Sequence, residues 1–76
     1  MKLEALAERS KRRRRLPEPH LRRLVRERAR VSQEDLAQTI GVNRSTVCRW
    51  ESGQRSPRDA NLAAYLDVLD RLAAER

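Results

Sequence analysis

The chain has 76 residues, of which 38% are hydrophobic and 38% charged, with a formal net charge of +7. Its length allows one domain, near the lower size at which a core holds without staples; its single cysteine excludes an internal disulfide, and no His/Cys cluster offers a zinc site. Phe is absent and Gly and Pro are few, which disfavours a β-rich fold, and no apolar run approaches the roughly 18 residues of a membrane span.

No signal peptide is visible, so the expected protein is soluble and cytoplasmic, in a bacterial or phage-infected cell, with no cofactor and no small-molecule ligand. Its positive charge is localised. Residues 1–30 carry twelve Lys or Arg against four acids, a net +8, whereas residues 31–76 carry six against seven, a net −1. The sequence therefore reads as a basic N-terminal arm, 1–16, attached to a near-neutral body, 17–76. Sixteen of the eighteen cations are Arg, a planar fork suited to phosphate and guanine, although G+C-rich codon usage gives the same bias.

In chain order, Met1–Arg15 could place Leu3, Leu6 and Ala7 on one side of a short helix. That apolar side is too small to stabilise an isolated helix of this length, and Lys11, Arg12, Arg13, Arg14 and Arg15 repel one another. The arm is expected to be flexible, or helical only when bound. Leu16-Pro17-Glu18-Pro19 then breaks any continuous helix. A first core helix is predicted over about Pro19–Ala29, with Leu21, Leu24, Val25 and Ala29 facing inward and Arg22, Arg23 and Arg26 on other faces. His20, near that helix start, reads as a solvated residue.

Ser32 is a good N-cap, with Asp35 three residues on, for a helix over Gln33–Ile40 that ends at Gly41 in the left-handed conformation. Asn43 is the expected cap of the next helix, Arg44 to about Ser52, which Gly53 stops. Within this 32–53 segment Leu36, Ala37 and Ile40 share one face of the first helix, and Val47 and Trp50 one face of the second. Ser56 as N-cap and Pro57 at the first helical position open the C-terminal segment, 57–75. Leu62, Leu66, Leu69 and Ala73 recur there at helical spacing, predicting one long helix from Pro57 to about Ala74.

The pattern Ser32-Gln33-x-x-Leu36-Ala37-x-x-Ile40-Gly41-Val42-x-x-Ser45-Thr46-Val47-x-x-Trp50-Glu51-x-Gly53, followed by Arg55-x-Pro57, resembles the lambda-repressor-like (Cro/CI, xenobiotic-response-element type) helix-turn-helix family. The resemblance covers Leu21 to about Leu69. It implies an all-α fold, a compact four-helix DNA-binding domain whose helix 44–52 lies in the major groove. It also places Gln33 at a position that touches phosphate, Arg44, Ser45 and Arg49 at base-contacting positions, and Arg26 with Glu51 as a structural salt bridge. The chain departs from the family twice. Arg30 stands where Gly is common, so the exit from the preceding helix is strained or differently shaped. The C-terminal helix is extended where phage repressors add a fifth helix after a turn.

The helical geometry gives the reading face independently. At about 100° per residue, Val47 and Trp50 lie on one arc while Arg44, Ser45, Cys48 and Arg49 fill the opposite one. Arg is the commonest bidentate partner of guanine, so Arg44 or Arg49 is expected to read a G·C pair; the alternative is that both meet phosphates only. Cys48 is read as a small residue tolerated against DNA, with a redox switch or an interchain disulfide as the alternative. Asn43, Thr46, Gln54, Arg55 and Ser56 are the phosphate candidates. Lys11–Arg15 would add phosphate contacts or enter the minor groove.

These residues favour a small Cro/CI-like repressor, binding an inverted-repeat operator as a homodimer. Two alternatives remain open. An antitoxin-type autorepressor would grip a partner protein through its C-terminal helix; an exposed stripe of Leu66, Leu69, Leu72 and Ala73 would speak for that or for a homodimer, and co-purification of a second protein would separate the two. A recombination or architectural factor would need a wedge residue, and none is visible. No nucleophile–base pair, metal set or phosphate loop points to an enzyme.

Overall fold

The computed structural model describes residues 2–75, and Met1 and Arg76, the outer ends of the predicted arm and domain, lie outside them. The described residues form helices α1 (Lys2–Arg15), α2 (Pro19–Arg28), α3 (Gln33–Ile40), α4 (Arg44–Ser52) and α5 (Asp59–Ala74), with no strand among them. None of these helices is long and apolar enough to cross a membrane.

Local chemistry sets the central pair. Ser32 is extended at φ −77°, ψ 161°, and its Oγ accepts the Asp35 N–H at 3.0 Å, satisfying one of the donors a helix start leaves free. Gly41 closes α3 at φ 94° and Gly53 closes α4 at φ 80°, conformations in which a Cβ clashes with the backbone. At Gly53 a Cβ would also come within 3.3 Å of Pro19 Cγ, so this glycine lets α4 end directly against the start of α2. Asn43 holds the N-cap position of α4, but its side chain makes no cap hydrogen bond; its carbonyl accepts from Thr46 and Val47 instead.

The core lies where α3, α4 and α5 meet. Leu36, Ala37, Val47, Trp50, Tyr65 and Leu69 are buried together, and Ile40, Val25 and Leu16 pack against them. The Trp50 and Tyr65 rings stack at a tilt of 37° with centroids 4.9 Å apart. Burying each large apolar side chain contributes about 1.5–3 kcal/mol. The face predicted for Leu36, Ala37, Ile40, Val47 and Trp50 is the face that packs.

Two expectations give way. The first concerns α2, whose inward face carries Arg22 and Arg26, each 8% exposed, while Leu21 and Leu24 stand 42% and 49% exposed. The arginines turn inward because fixed acceptors wait there. The second concerns α5, which begins at Asp59, not Pro57. Pro57 is buried, and the chain stays extended through Arg58 (φ −130°, ψ 152°), so Ser56 caps nothing.

The C-terminal stripe answers a question that the sequence left open. Leu66 and Leu69 are 4% and 3% exposed, Leu72 is half-buried and Ala73 exposed, so the stripe is mostly spent inside the domain. The arm forms α1, which precedes the four helices of the domain, α2–α5. It lies along α5 with Arg9 3.7 Å from Asp59 and Arg15 2.5 Å from Asp70, so it is helical as docked on that helix. Leu16, just past its end, packs on the core.

Candidate nucleic-acid interface

The outward face of α4 follows from how its back is held. Val47, Trp50 and Glu51 are buried against α2, α3 and α5, so the 100° rotation per residue turns Arg44, Ser45, Cys48 and Arg49 to solvent. All four are exposed, at the i,i+4 spacings Arg44/Cys48 and Ser45/Arg49. A patch of this kind can present two bidentate forks and two small polar groups to a groove.

Buried charge locks the back of α4 in register. Arg26 donates from Nε to Glu51 Oε2 at 2.5 Å and from Nη2 to Glu51 Oε1 at 3.0 Å, and its Nη1 donates to the Val31 carbonyl at 2.9 Å. Arg22 Nη1 donates to the Trp50 carbonyl at 2.8 Å, one of the carbonyls the end of α4 leaves unpaired, while its Nε donates to the Pro17 carbonyl at 2.7 Å. The hydrogen bond to Glu51 raises the Arg26 pKa above its ordinary value, whereas burial lowers that of Arg22. Both guanidinium groups remain cations. Beside them, burial pushes the Tyr65 phenol up to about 12, and its hydroxyl has no hydrogen-bond partner among the described residues.

This network reaches the exposed face of α4. Gln33 Nε2 donates to Glu51 Oε1 at 3.0 Å, and Gln33 Oε1 accepts from Arg44 Nη1 at 3.5 Å. Gln33 thus stands at the first turn of α3, half-buried, between the buried pair and the first arginine of α4. One N–H of its amide and the α3 N-terminus remain directed to any anion that approaches there.

At the C-terminal side of α4 an open cleft of about 840 Å³ runs between α1, α4 and the loop before α5. Arg49, Thr46, Gln54, Arg55 and Ser56 line it, and so do Arg13, Arg58 and Asn61. Sequence reasoning did not single out Arg58 and Asn61. The signal that could have found them is their position just after the Gln54–Ser56 turn; reading Arg58 as part of a helix hid it. Asn43 lies outside this cleft, exposed at the start of α4.

The five cations Lys11–Arg15 do not act as a block. A helix sends successive residues around its circumference, so only Arg13 reaches the cleft. Arg15 pairs with Asp70, Arg12 lies with it against α5 beside Asp67 and Ala63, and Arg14 donates to Ser10 at 3.1 Å. Lys11 is exposed. Among the described residues no group of three or more His, Cys, Asp or Glu is arranged to hold a metal ion.

The family model described as helix-turn-helix matches residues 23–75, more than half of the chain. Comparison with curated proteins and with solved structures gave no match.

Proposed function

The chain belongs to the lambda-repressor-like, Cro/CI-type helix-turn-helix family of DNA-binding domains, and from that premise we propose that it is a sequence-specific regulator of transcription, a small repressor reading an inverted-repeat operator as a homodimer. The observation that carries this reading is the four exposed side chains on α4, with Arg49 opening onto a cleft lined by four further arginines, of which Arg13, Arg55 and Arg58 are exposed. Arg44 and Arg49 donate to guanine O6 and N7, with Ser45 and Cys48 between them. Thr46, Gln54, Arg55 and Ser56, joined by Arg13, Arg58 and Asn61, take phosphates of the adjoining strand. Gln33 and Asn43 take those at the other end of α4. Phosphate contacts set the register, and the base contacts choose the site.

Selection from a random duplex pool, followed by titration against single-base variants of the selected site, tests the reading. Arg49→Ala is expected to weaken binding and to relax the preference at one position, by about 1–3 kcal/mol of discrimination. Uniform weakening with every preference intact would reduce Arg49 to a phosphate contact and overturn direct readout by this residue. The packing of Leu66 and Leu69 inside the domain removes the observation that would have favoured a toxin-gripping C-terminal helix, or a homodimer formed through that helix.

A further inference from the structure

Arg22 and Arg26 are the buried cations among the described residues, and only one of them has an acid. Arg26 is neutralised by Glu51, whereas no carboxylate among the described residues forms an ion pair with Arg22. A buried charge is ordinarily paired, because burial without a counter-charge is costly. Burial accordingly lowers the Arg22 pKa, with Glu18 acting on it only at a distance.

The Arg22 guanidinium is also not used up. Its Nε and Nη1 donate to the Pro17 and Trp50 carbonyls, which orient it without neutralising it. Of the five N–H donors of a guanidinium these take two, and both donors on Nη2 are among those left. Tyr65 Oη is the buried side-chain polar atom sealed without a partner among the described residues, so Arg22 Nη2 is not enclosed. It opens on the cleft of about 840 Å³ that Arg22 helps to line.

Five arginines line that cleft, Arg13, Arg22, Arg49, Arg55 and Arg58, and no Asp or Glu does. They come from α1, α2, α4 and the loop before α5, so the fold brings like charges together from four places in the chain. Arg22 is 8% exposed and forms the floor, while the other four are exposed at the rim. Buried Trp50 and Pro57 and half-buried Leu16 supply apolar wall, and a wall of low dielectric strengthens each charge beside it.

We propose that the floor of this cleft is a phosphate site, in which a phosphate oxygen accepts from Arg22 Nη2 and the exposed forks of Arg55 and Arg58 close on the oxygens that remain. A planar guanidinium fork matches phosphate geometry, and a bound oxyanion offsets the repulsion among the five cations. The site differs from the exposed phosphate contacts of the preceding section in having a buried donor and in taking an anion without DNA. Its phosphate comes from a duplex backbone or from a free phosphate compound, which present the same oxygens.

Calorimetric titration of the full chain with inorganic pyrophosphate, at an ionic strength fixed with sodium chloride, tests the site in the absence of DNA. One saturable site per chain is expected, weakened about tenfold or more by Arg22→Met and by Arg55→Gln/Arg58→Gln, with circular dichroism checking the fold. The Arg22 Nε–H resonance of the native chain gives a readout that needs no variant to fold, and it should shift along the same saturation curve. Heat no greater than that of chloride overturns the proposal, as does binding unchanged by Arg22→Met or an Arg22 resonance that stays in place at saturation. Duplex then separates the sources. Displacement of pyrophosphate by duplex, with Arg22→Met weakening duplex binding uniformly across base variants, supports the site as one for backbone phosphate; simultaneous binding supports it as one for a free phosphate compound. The base preference assigned to Arg49 is read from single-base variants alone, so failure of one reading leaves the other standing.

Discussion

Replacing Glu51 by Ala tests whether buried charge, and not apolar packing alone, fixes α4. Glu51 and Arg26 have side chains only 4% and 10% exposed, joined by two hydrogen bonds, and Gln33 supplies a third to the same carboxylate. Truncation leaves the Arg26 guanidinium buried with the Val31 carbonyl as its remaining acceptor. An orphaned charge of this kind costs about 3–5 kcal/mol. At about 0.05–0.15 kcal/mol per residue a domain of this size has a total stability of roughly 4–11 kcal/mol, so the loss is about a quarter of it or more.

The assay is urea unfolding followed by the fluorescence of Trp50, the only tryptophan and 3% exposed in the folded state. Thermal unfolding should show a fall in Tm of at least about 12 °C, from about 4–8 °C per kcal/mol in a domain this small. Glu51→Leu combined with Arg26→Met should recover most of the loss, because the penalty arises from the unpaired charge and not from the missing pair. A cost below about 1 kcal/mol for Glu51→Ala would show that the pair behaves as a hydrated surface bridge and would refute the reasoning.

Tyr65→Phe should leave stability unchanged or raise it by about 1 kcal/mol, since the buried hydroxyl has no partner among the described residues; a loss of more than that would reveal a hydrogen bond to it. The Tyr65 pKa, about 12 when folded, lies above the ordinary value of 10.0, so its stabilisation is complete below pH 10 and declines as pH rises toward 12. Alkaline urea titrations should show that decline, by at most about 2.7 kcal/mol, and Tyr65→Phe should remove it. Arg30→Gly should stabilise the domain by about 1 kcal/mol, because Arg30 is exposed and held at φ 59°; no gain in urea midpoint would show that its side chain compensates the backbone strain. Arg13→Ala should reduce the slope of log K against log salt for duplex binding by about 0.9, whereas Arg15→Ala, which removes a cation already paired with Asp70, should change it far less; equal effects would mean that α1 leaves α5 when DNA binds.

The residues that were legible in the sequence are those whose partners lie close along the chain. Ser32 caps its own helix three residues on, and the bounds Gln33–Ile40 and Arg44–Ser52 are flanked by Ser32, Gly41, Asn43 and Gly53, as read. The 3.6-residue period of Leu36, Ala37 and Ile40, and of Val47 and Trp50, marks the buried faces and so leaves Arg44, Ser45, Cys48 and Arg49 outside. The positive φ at Arg30 falls at the position where the family usually has glycine.

What tertiary structure alone decided involves partners distant in sequence. Periodicity assigns arginine outward, so Leu21 and Leu24 looked like core; Arg22 turns inward because the Trp50 carbonyl lies 28 residues away and meets α2 only in the folded chain, whereas the pairing of Arg26 with Glu51 was already implied by the family resemblance. Arg58 and Asn61 enter the cleft because buried Pro57 delays the start of α5. The run Lys11–Arg15 reads as one block of charge in one dimension. Wound into a helix against Asp59 and Asp70, it directs Arg13 to the cleft and Arg15 to an acid. Local periodicity and capping determined the helix-turn-helix, while the placement of charge required the packed helices, since an ion pair depends on distance in space.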